Sequence, residues 1–222
     1  MTLAPNSIVG EINKEKRHLV IIDDQPAMLG RFVKNFEAQG YRVTGVLVAH
    51  PENDRFFVNG RIDKQALADD IETSKAQDNA WSIRRHREDL PKFDYGVTSK
   101  SELRKLLLEL KPDLILSDER MRLDRKNTAD EETMRRDDNV VRGTDVMHMA
   151  AELFPNAPRA IHTAIYDANF KPVPREQEQK ARAEGYGFFA KDDYEDAEQP
   201  QAARIGKYFK DQFARGEIPP PP

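Results

Sequence analysis

The chain has 222 residues, 35 Lys and Arg against 39 Asp and Glu, a net charge of -4 and no cysteine. Mild acidity provides no basic face for sequence-independent nucleic-acid binding, and the lack of thiols excludes disulfides, thiolate metal sites and cysteine nucleophiles. The N-terminal M-T-L-A-P-N-S-I-V-G-E-I-N-K-E-K-R lacks the apolar stretch of a signal peptide, and no apolar run approaches a membrane span, so a cytoplasmic protein is expected.

Residues 18–22, H-L-V-I-I, predict a buried strand, apolar and rich in Val and Ile. The acidic pair Asp23 and Asp24 follows. Pro26 then suits the first turn of a helix whose stripe is Ala27, Phe32, Val33 and Phe36 and whose end is Gly40. Tyr41 to Val48, β-branched and aromatic, predicts a second strand. From Ala49 to Thr98 no clear strand is visible. Asp63 to Glu88 could form one or two helices, on a sparse set of Leu67, Ile71, Trp81 and Ile83, and R-R-H-R at Arg84–Arg87 reads as a solvated helix face.

Alternation resumes at Ser99. S-K-S-E (Ser99 to Glu102) fits a capping box, and Leu103, Leu106, Leu107 and Leu110 form the apolar face of a helix that Lys111-Pro112 stops. Asp113 to Ser117 is the next strand, leading to Asp118. Arg122 to Arg142 holds six basic and six acidic residues and reads as a solvated loop. Gly143 to Phe154 predicts a helix with Val146, Met147, Ala150, Leu153 and Phe154 inward. Strand Arg159–Ala164 follows, then a helix from Pro174 to Gly185 and a fifth strand ending at Lys191. The last helix, 200–214, carries Ala203, Ile205, Tyr208, Phe209 and Phe213 partly on one face. Five strands alternating with five helices imply an α/β domain, a doubly wound parallel sheet with helices on both faces.

Four of these strands end in residues that suit one chemistry: Asp23 and Asp24, Asp118, Thr163 and Lys191. Open α/β sheets bind ligands at the carboxyl ends of their strands. Three carboxylates there suit Mg²⁺ and a phosphoryl group, with one Asp as nucleophile and the hydroxyl and ammonium on the phosphoryl oxygens. His162, inside a buried strand, reads as a core residue rather than a ligand.

The stretches V-I-I-D-D-Q-P-A-M (Val20–Met28), P-D-L-I-L-S-D-E-R-M (Pro112–Met121), H-T-A (His162–Ala164) and F-F-A-K (Phe188–Lys191) resemble the receiver domain of two-component response regulators. The resemblance implies a flavodoxin-like sheet of five strands in the order 2-1-3-4-5. It implies that Asp118 is the phosphoacceptor, with Asp24 a direct Mg²⁺ ligand, Asp23 a ligand through water, and the backbone carbonyl of Arg120 completing the protein's share of the metal shell. Thr163 and Lys191 match the phosphoryl-binding pair, and Thr163 and Phe188 the switch residues. The resemblance covers 18–48 and 99–215. It implies residues 1–17 as an N-terminal extension, 18–215 as the receiver-like domain with insertions at 49–98 and 122–142, and 216–222 as a Pro-rich tail.

The chain departs from the pattern in several places. The separations of Asp24 from Asp118 and of Asp118 from Thr163 are far longer than such domains use. No proline follows Met121, and Asp192 stands where a proline would follow Lys191. Expected partners are a histidine kinase or phosphotransfer protein and a downstream protein, with no nucleic acid and no membrane. No room for a DNA-binding domain follows Arg215, so a stand-alone receiver is expected, a phosphoacceptor rather than an enzyme. Two other readings stay open: a binding module that acts without phosphorylation, and a phosphohydrolase with Asp118 as nucleophile, against which Glu119 and Arg120 lack a second Asp two residues on. Residues 174–214 match a face on which receivers pair, so the aromatics of the last helix either cover the sheet or form a homodimer contact.

Overall fold

The structure, a computed structural model, describes residues 16–24, 26–48, 57–58, 61–63, 65, 95–119, 121, 138, 141–164, 175–191 and 201–215. Strand β1 (His18–Asp23) is buried at every position, as its unbroken apolar run demands of a strand covered on both faces. Helix α1 (Pro26–Ala38) begins on Pro26, whose fixed φ and missing N–H suit a first helical position. It stops where Gly40 turns to φ 90, a backbone conformation without penalty for glycine, and Tyr41 donates its N–H back to the Phe36 carbonyl at 3.1 Å. Strand β2 (Arg42–Val48) then returns parallel to β1, pairing His18 with Arg42 and Asp23 with Leu47.

The segment after β2 is not free of strands. Short β3 (Phe57–Val58) and β4 (Arg61–Ile62) form an antiparallel pair, and β5 (Tyr95–Val97) runs parallel to β2. Three residues are too few to show an alternation, and β5 is defined by its partner, with Val46, Leu47 and Val48 opposite Tyr95, Gly96 and Val97. The helices expected over Asp63–Glu88 lie almost wholly outside the described residues.

Helix α2 (Lys100–Leu110) is capped by Ser99, whose Oγ accepts from the Glu102 N–H at 3.2 Å. The return half of the expected box is displaced by one residue: Glu102 Oε2 accepts from the N–H and hydroxyl of Thr98, at 2.7 and 3.0 Å, rather than from Ser99. At the other end Lys111 adopts φ 47, donates its N–H to the Leu107 carbonyl, and Pro112 forbids continuation. Strand β6 (Leu114–Asp118), helix α3 (Gly143–Leu153), strand β7 (Arg159–Ala164), helix α4 (Arg175–Ala183), strand β8 (Gly187–Lys191) and helix α5 (Gln201–Arg215) complete the chain order.

All strands join one sheet in the order β3-β4-β5-β2-β1-β6-β7-β8. The five strands expected from sequence stand together as β2-β1-β6-β7-β8. Among the described residues the sheet has eight strands rather than five, and its β3 edge is antiparallel. Leu19, Ile21, Leu114, Leu116 and Ala160 face α1 and α5, packing on Phe32, Phe36, Ile205 and Phe209. Val20, Ile22, Ile115 and Ile161 face the other way, onto Leu103 and Leu107 of α2, Val146 and Ala150 of α3 and Ala181 of α4. Alternation along each strand thus builds two cores from one sheet.

One expectation needs correction. The tail of the charged segment 122–142 is not solvated throughout: Val141 is fully buried, and Asp138 accepts from the Ser101 N–H at 3.1 Å at the start of α2. The aromatics of α5 pack inward. Phe209 is fully buried, Tyr208 packs on Phe189 and Phe209 with ring centroids 5.5 and 5.6 Å away and donates its hydroxyl to the Arg159 carbonyl, and Phe213 lies under the Arg17 guanidinium. They cover the sheet at β7 and β8, the end of it opposite β3.

Candidate functional site

The site is built where β1 and β6 end side by side. Their register pairs Ile22 with Ser117, so Asp23 and Asp118 come next on adjacent strands. Asp23, Asp24 and Asp118 are all buried, at 0, 6 and 2% exposure, and each brings an oxygen within 4.8 Å of the others. Pro26 starts α1 two residues after Asp24. The Ser117 hydroxyl donates to the Asp118 carbonyl at 3.0 Å, in the buried interior.

Three buried carboxylates this close repel one another strongly unless a cation lies among them. The donors are all hard oxygens, which suits Mg²⁺ or a similar divalent ion and not a metal that prefers sulfur or nitrogen. The residues present therefore fit the metal that the sequence implies.

Two of the remaining expected residues lie at the same edge. Thr163, 1% exposed, is opposite Ala190 near the end of β7, and Lys191 ends β8 opposite Ala164. The side chain of Lys191 and all of Arg120 lie outside the described residues. Phe188 is opposite Ile161, half-buried against the core beneath α2, α3 and α4.

Three participants were not foreseen. His162 is fully buried, as a core histidine should be, yet its Nε2 lies 3.4 Å from Asp23 Oδ2, and its ring stands 4.7 Å from that of Phe32. Glu119, directly after Asp118, donates its N–H to the His162 carbonyl at 3.0 Å and accepts from the Gly143 N–H at 3.2 Å, joining β6, β7 and α3. Burial pushes its carboxyl up to about 7, against the opposing pull of the Arg142 guanidinium at 3.8 Å and the Thr144 N–H. Gly143 opens α3 so close to the acceptor strand that an added Cβ would lie 2.5 Å from the Asp118 carbonyl oxygen. H-T-A inside the strand Arg159–Ala164, with His162 directly before Thr163, could have pointed to His162, which the register places opposite Asp118. Gly143 carried no such local signal.

No protein-family model matches the chain, and neither does any curated protein sequence. Among solved structures the chain is similar to a response regulator receiver domain protein of Clostridium thermocellum, at 13% identity over 90% of this chain and 96% of that one, with a TM-score of 0.46. It is also similar to a CheY-like receiver domain protein of Methanospirillum hungatei, at 15% identity over 90 and 95% and a TM-score of 0.42. A chemotaxis response regulator of Vibrio cholerae matches at 13% identity over 87 and 98%, with a TM-score of 0.41. With TM-scores below 0.5 at such identities, a functional reading has to rest on the chain's own residues.

Proposed function

We propose that the chain is a response regulator receiver that accepts a phosphoryl group on Asp118 and signals through changed protein contacts. One observation carries this reading: Asp23, Asp24 and Asp118, distant in sequence, meet buried within 4.8 Å at the carboxyl edge of a doubly wound sheet. Asp24 and an Asp118 oxygen would hold Mg²⁺ directly and Asp23 through water, and the Arg120 carbonyl is assigned a place in the same shell by its position in sequence. The ion supplies charge neutralisation between an anionic nucleophile and an anionic donor.

An Asp118 oxygen forms the new bond to phosphorus as the donor's bond to phosphorus breaks, and the leaving group departs with the electron pair. Thr163 binds a phosphoryl oxygen through its hydroxyl and Lys191 through its ammonium, which offsets charge on the product. Thr163 and Phe188 then transmit the change, from β7 and β8, to the helices they face. The donor is a histidine kinase or phosphotransfer protein, and a downstream protein reads the result. A signalling role fits these parts better than sustained turnover, since nothing beside Asp118 supplies a second catalytic Asp two residues on.

Incubation with Mg²⁺ and acetyl phosphate, followed by intact mass, tests the reading. The expected result is a gain of one phosphate that needs Mg²⁺ and is lost in Asp118→Asn. A folded protein that gains no phosphate from acetyl phosphate or phosphoramidate would leave the binding-module reading in its place.

A further inference from the structure

His162 reaches Asp23 across the strand that carries Asp118. β1 and β7 flank β6, so their backbones stand roughly 9.6 Å apart, two strand spacings. His162 is opposite Asp118 in the β6–β7 register, and its ring crosses β6 to bring Nε2 to 3.4 Å from Asp23 Oδ2. Phe32 of α1 lies against that ring, and both His162 and Asp23 are closed to solvent. Ligating carboxylates in metal sites are held by hydrogen bonds from outside the first coordination sphere, and an imidazole nitrogen this close to one is placed to supply such a bond.

We propose that His162 is a positioning residue for Asp23, donating from Nε2 to one carboxylate oxygen so that the other is presented to the metal. The inference rests on the metal reading of the three aspartates. His162 is not itself a ligand: its nitrogens do not belong to the group of ligand atoms, one each from Asp23, Asp24 and Asp118, that lie within 4.8 Å of one another. Ligand atoms around one Mg²⁺ at about 2.1 Å cannot stand more than about 4.2 Å apart. Its effect is exerted on the geometry of Asp23 and is read as metal affinity.

Calorimetric titration of the full chain with Mg²⁺ alone and with Mn²⁺ alone tests this in wild type, His162→Leu, His162→Gln and His162→Asn. His162→Leu is expected to weaken both ions about 10- to 100-fold, the range for losing an outer-shell partner. A glutamine amide nitrogen falls near the place of Nε2, so His162→Gln restores affinity to within about threefold of wild type. The asparagine amide falls near Nδ1, too short to cross β6, and stays weak. A general packing defect would not separate Gln from Asn. Wild-type affinity in a folded His162→Leu overturns the inference and leaves the metal site standing, as does a directly bound nitrogen in the spin-echo spectrum of the Mn²⁺ complex. A wild type that binds neither ion overturns the metal reading and this inference with it.

Discussion

Replacing Gly143 with alanine tests how tightly α3 is pressed onto the acceptor strand. The new Cβ would lie 2.5 Å from the Asp118 carbonyl oxygen and 2.8 Å from both Glu119 Cα and Glu119 Oε2. Comfortable contacts begin near 3.5 Å, so the overlap is about 1 Å, and two of the three atoms belong to backbone that cannot rotate away. Overpacking of this kind costs about 1–3 kcal/mol. Moving α3 outward also stretches the bond from the Gly143 N–H to the Glu119 carbonyl, now 3.2 Å, at about 1 kcal/mol. The helix-propensity gain of alanine over glycine returns at most about 1 kcal/mol. With the full return, the net expectation is a loss of about 1–3 kcal/mol, or roughly 2–12 °C in Tm for a chain of this size. Because the strain falls on the peptide units carrying Asp118, Mg²⁺ affinity is expected to drop about tenfold, equivalent to about 1.4 kcal/mol. Gly206→Ala is the control. Its Cβ meets the Gln39 side-chain oxygen, the movable end of a flexible side chain, so stability should stay within about 1 kcal/mol of wild type. Thermal unfolding by circular dichroism and Mg²⁺ titration measure both effects. A Gly143→Ala protein with unchanged Tm and Mg²⁺ affinity would refute the close approach of α3 to Asp118.

Asp118→Asn should stabilise the metal-free protein. Unit charges 4.8 Å apart, the widest separation of these oxygens, repel by roughly 3.5 kcal/mol at an effective dielectric of 20, so a gain of at least about 1–3 kcal/mol is expected in chelator. Added Mg²⁺ should erase that advantage, and a variant less stable than wild type in chelator would contradict the repulsion. Burial and the nearby Arg42 lower the pKa of His18 from its ordinary 6.5; in the neutral ring Nδ1 donates to the Leu110 carbonyl while Nε2 accepts from the Thr44 hydroxyl. Its stabilising effect is therefore present above pH 6.5 and lost as the pH falls through the lowered pKa. Urea midpoints should fall below pH 6.5 more steeply in wild type than in His18→Gln, and parallel curves would refute the assignment. Tyr208→Asp should lower Tm by several degrees, since it buries a carboxylate between Phe189 and Phe209 at a cost of about 2–4 kcal/mol. An unchanged Tm with a lower mass by light scattering would instead point to a pairing contact through Tyr208.

Wherever one segment's own pattern sufficed, the chain was legible before its structure. The apolar run of 18–22 demanded a strand covered on both faces, Ser99 and Gly40 marked helix ends through local backbone chemistry, and the polar residues closing four strands pointed to one sheet edge. Those signals depend on neighbours within a few residues, so they survive without tertiary contacts. Tyr95–Val97 was missed because a three-residue strand exists only through its partner β2. The displaced capping bond from Thr98 to Glu102 depends on how the chain enters α2, which its residue types do not specify. Tyr208 and Phe209 could have faced outward or inward on their periodicity alone, and the flank of β7 and β8 decided. Likewise the reach of His162 over β6 to Asp23, and the pressure of Gly143 on the Asp118 carbonyl, join residues from different strands and helices. Such contacts are set by sheet register and helix docking, which free energy minimises over the whole core rather than along the chain.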